Sequence, residues 1–200
     1  MKLYFSAASP FVRKVTVVAA ELGIALDRLP SAVHPINRDR TVVADNPLGQ
    51  VPTLLLEDGI RLFDSRVICE YLDALKGGGI FPAAGPARWR ALTEQSMGDG
   101  ILDAGILLRY EAVTRTPEMQ SAAWKAGQME KVTGTLDVLE GMAEGFGDRV
   151  DIGTISIGCA LGWLDFRFGD IGWRHGRPKL AAWFERFATR PSMAGSVPAA

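Results

Sequence analysis

The stretch KGGGIFPAAGP at residues 76–86 divides the chain into two parts that differ in kind. Before it, runs of strand character alternate with runs of helical spacing; after it, no convincing strand remains. KLYF at 2–5 reads as a short strand. From Phe11 the apolar positions 11, 12, 15, 18, 19 and 22 follow helical spacing, and Gly23 supplies a stop. IALDRLP at 24–30 is a second strand, closed by Pro30, and 34–45 is polar and weakly patterned, an irregular helix. VPTLLLEDGIRLFD at 51–64 reads as strand, Asp58-Gly59 turn and strand. Asp64-Ser65 then opens a helix with apolar positions 67, 68, 71, 72 and 75, and Gly77 ends it.

The resulting order, βαβαββα, is the order of a thioredoxin-like α/β domain. Beyond the Gly/Pro break the spacing predicts a long helix from about Trp89 to Val113 and another after Pro117 carrying Met129, Val132, Leu136 and Leu139. A third starts at Asp151 with Ile152, Ile155, Cys159 and Trp163, and a last starts at Pro178 with Leu180, Trp183, Phe184 and Phe187. The expected organisation is an α/β domain over 1–77, a linker over 78–86 and an all-α domain over 87–200.

Bulk properties narrow the chemistry. A net charge of −1 gives no electrostatic footprint for nucleic acid or an acidic membrane. Cys69, Cys159, His34 and His175 have no zinc-type spacing and no C-x-x-C pair, so no metal site is expected, and sparse cysteine fits a reducing compartment. No uncharged apolar run reaches the roughly 18–20 residues that span a bilayer. The apolar part of the opening MKLYFSAASPF is too short for a leader peptide and is interrupted by Pro10 and Arg13-Lys14. These features predict a soluble, cytoplasmic protein.

Three short segments carry possible chemistry, and each has an ordinary structural use. Ser9-Pro10 in SAASPFVRK is a helix N-cap followed by the residue best suited to the first helical position. NPLGQVP at 46–52 is a loop-to-strand turn with one Val. Asp64-Ser65 is an N-cap pair, worth about 1 kcal/mol to its helix. In this order and spacing, and on this domain plan, the three segments together resemble the soluble glutathione transferases, most closely the bacterial serine-type members with SPFVRK, NPLGxVP and then DS. The resemblance extends to MGDGILDAG at 97–105 and RPS at 190–192, and so over nearly the whole chain.

That resemblance implies a glutathione S-transferase fold and activity, with glutathione as co-substrate and no other bound cofactor. It implies a homodimer as well. Val51-Pro52, with Pro52 cis, would pair through the Val51 backbone with the cysteinyl part of glutathione. Asp64 and Ser65 would receive its γ-glutamyl end, where the free amides and positive pole of a helix N-terminus favour a carboxylate. Gln50 would bond the glycine end, within possible reach of His34. Ile106, Arg109, Tyr110 and Trp163 are candidates for the wall of a pocket for a small hydrophobic electrophile, and equally for plain core packing. Asp99 and Asp103 would face the cleft on the long helix, although their pattern alone reads as a solvated helix face. Arg13 is expected to tie the first helix to a carboxylate.

Ser9 is the expected catalytic residue. Its hydroxyl is far too weak an acid to serve as a base, and no His or carboxylate follows nearby to activate it. The useful role is donation to the glutathione thiolate. Lowering a thiol pKa of about 8.5 by about two units needs roughly 2.7 kcal/mol. One hydroxyl hydrogen bond to a charged group supplies about 1.5–3 kcal/mol, and the helix end adds a fraction more. Ser6 is a near alternative.

Two departures from the family pattern stand out. Many members carry Tyr or Cys at the Ser9 position, and without Cys no mixed disulfide with glutathione forms there. In VDIGTISIG the cap and its partner are exchanged, with Asp151 first and Thr154 later, a swap that should still cap the helix. Two other functions fit the same residues: a non-catalytic glutathione-binding regulatory or protein-interaction module, and a glutathione-dependent peroxidase.

Overall fold

A computed structural model describes residues 1–199; Ala200, the last residue of the expected helical domain, lies outside the described residues. The first part comprises β1 (Lys2–Phe5), α1 (Pro10–Glu21), β2 (Asp27–Pro30), α2 (Arg40–Asp45), β3 (Thr53–Leu55), β4 (Arg61–Leu62) and α3 (Ser65–Leu75). The second comprises α4 (Gly85–Thr114), α5 (Ala122–Met142), α6 (Ile152–Arg167), α7 (Pro178–Ala188) and α8 (Pro191–Ala194). This is the expected order, a small mixed sheet with its helices followed by a helical domain.

The four strands lie in the order β2-β1-β3-β4. β1 and β2 run parallel, while β3 is antiparallel to both β1 and β4. Leu3, Leu54 and Leu62 form one row across the sheet, and Tyr4 pairs with Thr53 in the next. The C-terminal ends of β1 and β4 therefore meet the N-terminal start of β3 at one end of the sheet.

Several elements are shorter or longer than the sequence predicts. β2 begins only at Asp27, because Ile24 is spent on closing α1, its N–H donating to the Ala19 carbonyl at 2.8 Å. α2 is six residues long, and β4 is two. α4 starts at Gly85-Pro86, inside the expected linker, because Pro suits the first turn of a helix and forfeits no hydrogen bond there. The exchanged cap of α6 works: the Thr154 N–H donates to Asp151 at 3.1 Å, and Thr154 Oγ1 accepts from the Asp151 N–H at 3.1 Å. Arg13 departs from expectation. Among the described residues it donates to the Met193 carbonyl at 3.2 Å and the Ser196 hydroxyl at 3.4 Å, and reaches no carboxylate.

One apolar core runs through both parts, from Leu3, Val15 and Leu72 to Leu102, Leu136 and Leu164. Residues 152–164 of α6 are buried without interruption, as an all-round apolar helix requires. α4 approaches α6 so closely that a Cβ on Gly98 would lie 2.7 Å from the Ser156 carbonyl carbon, and one on Gly105 would lie 2.6 Å from the Trp163 ring. Both contacts join residues 58 positions apart (98 to 156, 105 to 163), so the two helices run parallel in constant register.

Candidate functional site

The shared end of the sheet gathers the three segments. Ser9 follows β1, Val51-Pro52 precede β3, and Asp64-Ser65 follow β4. Ser9 is the N-cap of α1, with its side-chain oxygen accepting the Val12 N–H at 3.3 Å. That bond uses a lone pair. The hydroxyl proton is not used by it and is available to a further acceptor. Capping and donation thus use opposite ends of one hydroxyl.

The NPLGQVP loop is held by its first residue. Asn46 is buried; its side-chain amide donates to Thr53 Oγ1 at 2.9 Å and to the Gln50 carbonyl at 3.2 Å, and its oxygen accepts from the Leu48 N–H at 3.0 Å. Gly49 sits at φ +63°, where a side chain would also press on Arg38 and Val43 at 3.0–3.1 Å. Pro52 is cis. Among the described residues the Val51 N–H and C=O enter no backbone hydrogen bond, which leaves both groups open just before β3. Gln50 is exposed next to it.

At the start of α3, Asp64 caps the helix by accepting the Arg66 N–H at 2.9 Å, and the Phe63-Asp64 bond before it is cis. Asp64 is exposed and Ser65 is only 2% exposed. Behind this turn lies a charged cluster that the sequence pattern misses. Lys14 on α1 and Asp99 on α4, each 0% exposed, pair at 2.6 and 2.8 Å, and Arg66 Nε reaches the same carboxylate at 3.0 Å. The Asp99 carboxylate holds the Arg66 guanidinium above its ordinary pKa. Asp99 is therefore not on a solvated face; Asp103, one turn further on, is exposed. The available signal was Lys14 itself, which stands three residues after Phe11 and four before Val18, on the apolar face of α1.

His34 leaves the same end of the sheet after β2, on the opposite flank of β1 from Val51 and Asp64. Its Nδ1 accepts the Ile36 and Asn37 amides, each at 3.2 Å. Ile106, Arg109 and Tyr110 lie half-buried along α4. Trp163 is 1% exposed, and its indole N–H donates to the Ala8 carbonyl at 3.2 Å, so it braces the residue just before Ser9 from behind. Cys69 and Cys159 are both buried, which pushes their thiols up to about 12 and about 11.

The chain and its fold have close counterparts. The family descriptions "Glutathione S-transferase, N-terminal domain" and "Glutathione S-transferase, C-terminal domain" match residues 8–75 and 122–186. The Escherichia coli K12 protein named uncharacterized GST-like protein YibF is 37% identical over 202 residues, covering 99% of this chain and 98% of its own. A glutathione transferase family member from Pseudomonas fluorescens Pf-5, solved with bound glutathione, superposes with a TM-score of 0.97 at 42% identity, over 100% of this chain and 99% of its own. A second structure of a Pf-5 family member, with bound S-(propanoic acid)-glutathione, gives a TM-score of 0.92 at 41% identity over 100% of both chains. With both domains matched and near-complete coverage at these identities, the chain belongs to the glutathione S-transferase family.

Proposed function

We propose that this protein binds glutathione at the shared end of the sheet, stabilises its thiolate through Ser9, and transfers it to small electrophiles. The observation that carries this reading is the Ser9 hydroxyl. It accepts from Val12 within the helix cap and keeps its own proton for a sulfur placed at the N-terminus of α1. The open backbone of Val51 suits the cysteinyl part of glutathione, and Gln50 suits its glycine end. Asp64 and Ser65 suit the γ-glutamyl end, with Arg66 held beside them by Asp99. His34 has Nδ1 engaged in its own loop, so only its remaining edge could serve glutathione. The Pf-5 relatives, solved with glutathione and with an S-substituted glutathione, support the same use of this fold here.

In this reading the glutathione domain is 1–77 and the electrophile domain is 87–200, with α4 entering at Gly85 before the end of the 78–86 connection. Ile106, Arg109 and Tyr110 line the electrophile side, and Trp163 supports it from within. Two copies would pair in a homodimer, and the protein would work in the cytoplasm. Among the described residues no helix is long and apolar enough to cross a membrane.

Calorimetry with glutathione and an aryl-halide conjugation assay on wild type and Ser9→Ala test the proposal. Loss of one charge-assisted hydrogen bond predicts a roughly 10- to 100-fold fall in kcat/KM at pH 7. The deficit should shrink above the pKa of the unassisted thiol, where the thiolate forms without help. Full activity in Ser9→Ala would reduce Ser9 to a helix cap, and no binding at millimolar glutathione would sink the whole reading. Binding without turnover would instead assign the protein to the non-catalytic, regulatory class. For peroxidase or reductase chemistry through a protein thiol, both buried cysteines are poorly suited, since little of either is thiolate at neutral pH.

A further inference from the structure

The constant register between α4 and α6 places a pair of like charges face to face. Residues 98 and 156 meet, as do 105 and 163, and the next pair at the same offset is Arg109 and Arg167. Each stands four residues, about 6 Å along its helix, beyond the Gly105–Trp163 contact. Trp163 in turn is bonded to Ala8, the residue before Ser9. The seam between α4 and α6 that carries the two arginines therefore continues from the ring that backs the Ser9 loop.

Neither arginine has an anionic partner among the described residues. Neither enters an ion pair: Asp170, three residues after Arg167, does not reach it, and the two carboxylates next to the pair in sequence are engaged elsewhere. Glu111 pairs with Arg115 at 3.0 Å, and Asp165 takes both Arg174, at 2.6 Å, and the Trp173 indole, at 2.7 Å. Arg167 instead lays its guanidinium over the Phe166 ring, 3.9 Å from the centroid. A stacked guanidinium uses its face and keeps its edge donors for a planar acceptor. Burial, and then the charge of Arg109, push Arg167 below its ordinary pKa, which marks two half-buried cations held close without a counter-ion. Arg167 lies in the last turn of α6, where a helix end favours a cation, but Arg109 is five residues short of the end of α4 and has no such support.

We propose that the electrophile carries a carboxylate, which Arg109 and Arg167 grip between them while its reactive carbon faces the Ser9 loop. This rests on the transferase reading above and narrows its substrate class. For an aryl halide of this class, the glutathione sulfur forms the carbon–sulfur bond and chloride leaves with the electrons of the carbon–chlorine bond. The thiol proton passes to solvent. The arginines take no part in bond making. They fix which end of the substrate enters first, through charge-assisted bonds that a neutral analogue cannot form.

Binding of matched conjugates tests this without requiring turnover. Glutathione, S-(4-carboxybenzyl)glutathione and S-(4-carbamoylbenzyl)glutathione are titrated into wild type, R109M, R167M and the double variant. The carboxylate conjugate should bind wild type at least tenfold more tightly than the carbamoyl one. That ratio should fall in each single variant and approach one in R109M/R167M. Equal binding of the two conjugates to wild type, or a ratio that survives the double substitution, overturns the proposal while glutathione binding leaves the transferase reading standing. Failure of glutathione and both conjugates to bind wild type overturns the two together. Circular dichroism confirms that each variant is folded, and the glutathione affinity of each gives its internal reference.

Discussion

Two buried carboxylates sit five residues apart on α4 and have opposite surroundings. Asp99 takes Lys14 from α1 and Arg66 from α3, so three segments distant in sequence meet on one charge, directly behind the turn that begins with Ser65. Glu94 takes both oxygens' worth of bonding from Arg149 at 3.0 Å, next to the capped start of α6, and stays within the helical part. Burial pushes the Glu94 carboxyl upward and outweighs the opposing pull of Arg149. The same kind of ion pair thus does two jobs. One joins the sheet-bearing part to the helical part at the proposed glutathione site; the other fastens α4 to the segment that leads into α6.

The largest effect should come from Asp99→Asn. It leaves Lys14 charged and fully buried, and breaking one side of a buried pair costs about 3–5 kcal/mol. Denaturant unfolding should register that loss, and glutathione titration should show weakened affinity, because Arg66 loses its anchor beside Ser65. If affinity stayed at the wild-type value, the cluster would be a structural tie alone. Glu94→Gln sharpens the contrast. Arg149 keeps Asp151 and part of its hydration, so the expected cost is about 2 kcal/mol, with glutathione affinity retained. A matching fall in affinity would erase the distinction between the two carboxylates.

The smallest effect concerns a third ion pair, at the far end of α1. The Arg190 guanidinium and the Ser192 hydroxyl hold Glu21 below its ordinary pKa of 4.5. A depressed carboxylate pKa contributes stability above the unfolded value, and loses it as pH falls through the folded value. Glu21→Gln should therefore destabilise the protein by about 1 kcal/mol at pH 6. The gap from wild type should narrow steadily as unfolding is measured below pH 4.5. A gap independent of pH would mean that the Glu21 charge contributes nothing.

What the sequence disclosed, it disclosed through local chemistry. The Asp58-Gly59 hairpin, the Ser9-Pro10 start of α1 and the Asp151–Thr154 box each depend on residues a few positions apart, and each is present in the structure. The convergence of Ser9, Val51 and Ser65 was readable only as a resemblance, since it depends on strand order and register. The pairing of Lys14 with Asp99 was illegible for a related reason. Charge in a helical pattern signals solvent unless a partner is known, and here the partner is 85 positions away. The mating of Arg109 with Arg167 was hidden in the same manner, because no periodicity within either helix reveals the offset between them.

That offset also constrains how the gene can change. Loss of one codon between Gly98 and Gly105 would rotate the rest of α4 by about 100° against its neighbour. Gly105 would no longer receive the Trp163 ring, and the brace on Ala8 would lose its backing. Length variation should accumulate in the segments joining the two helices, such as 115–121 and 143–151, while the helices themselves keep their residue count.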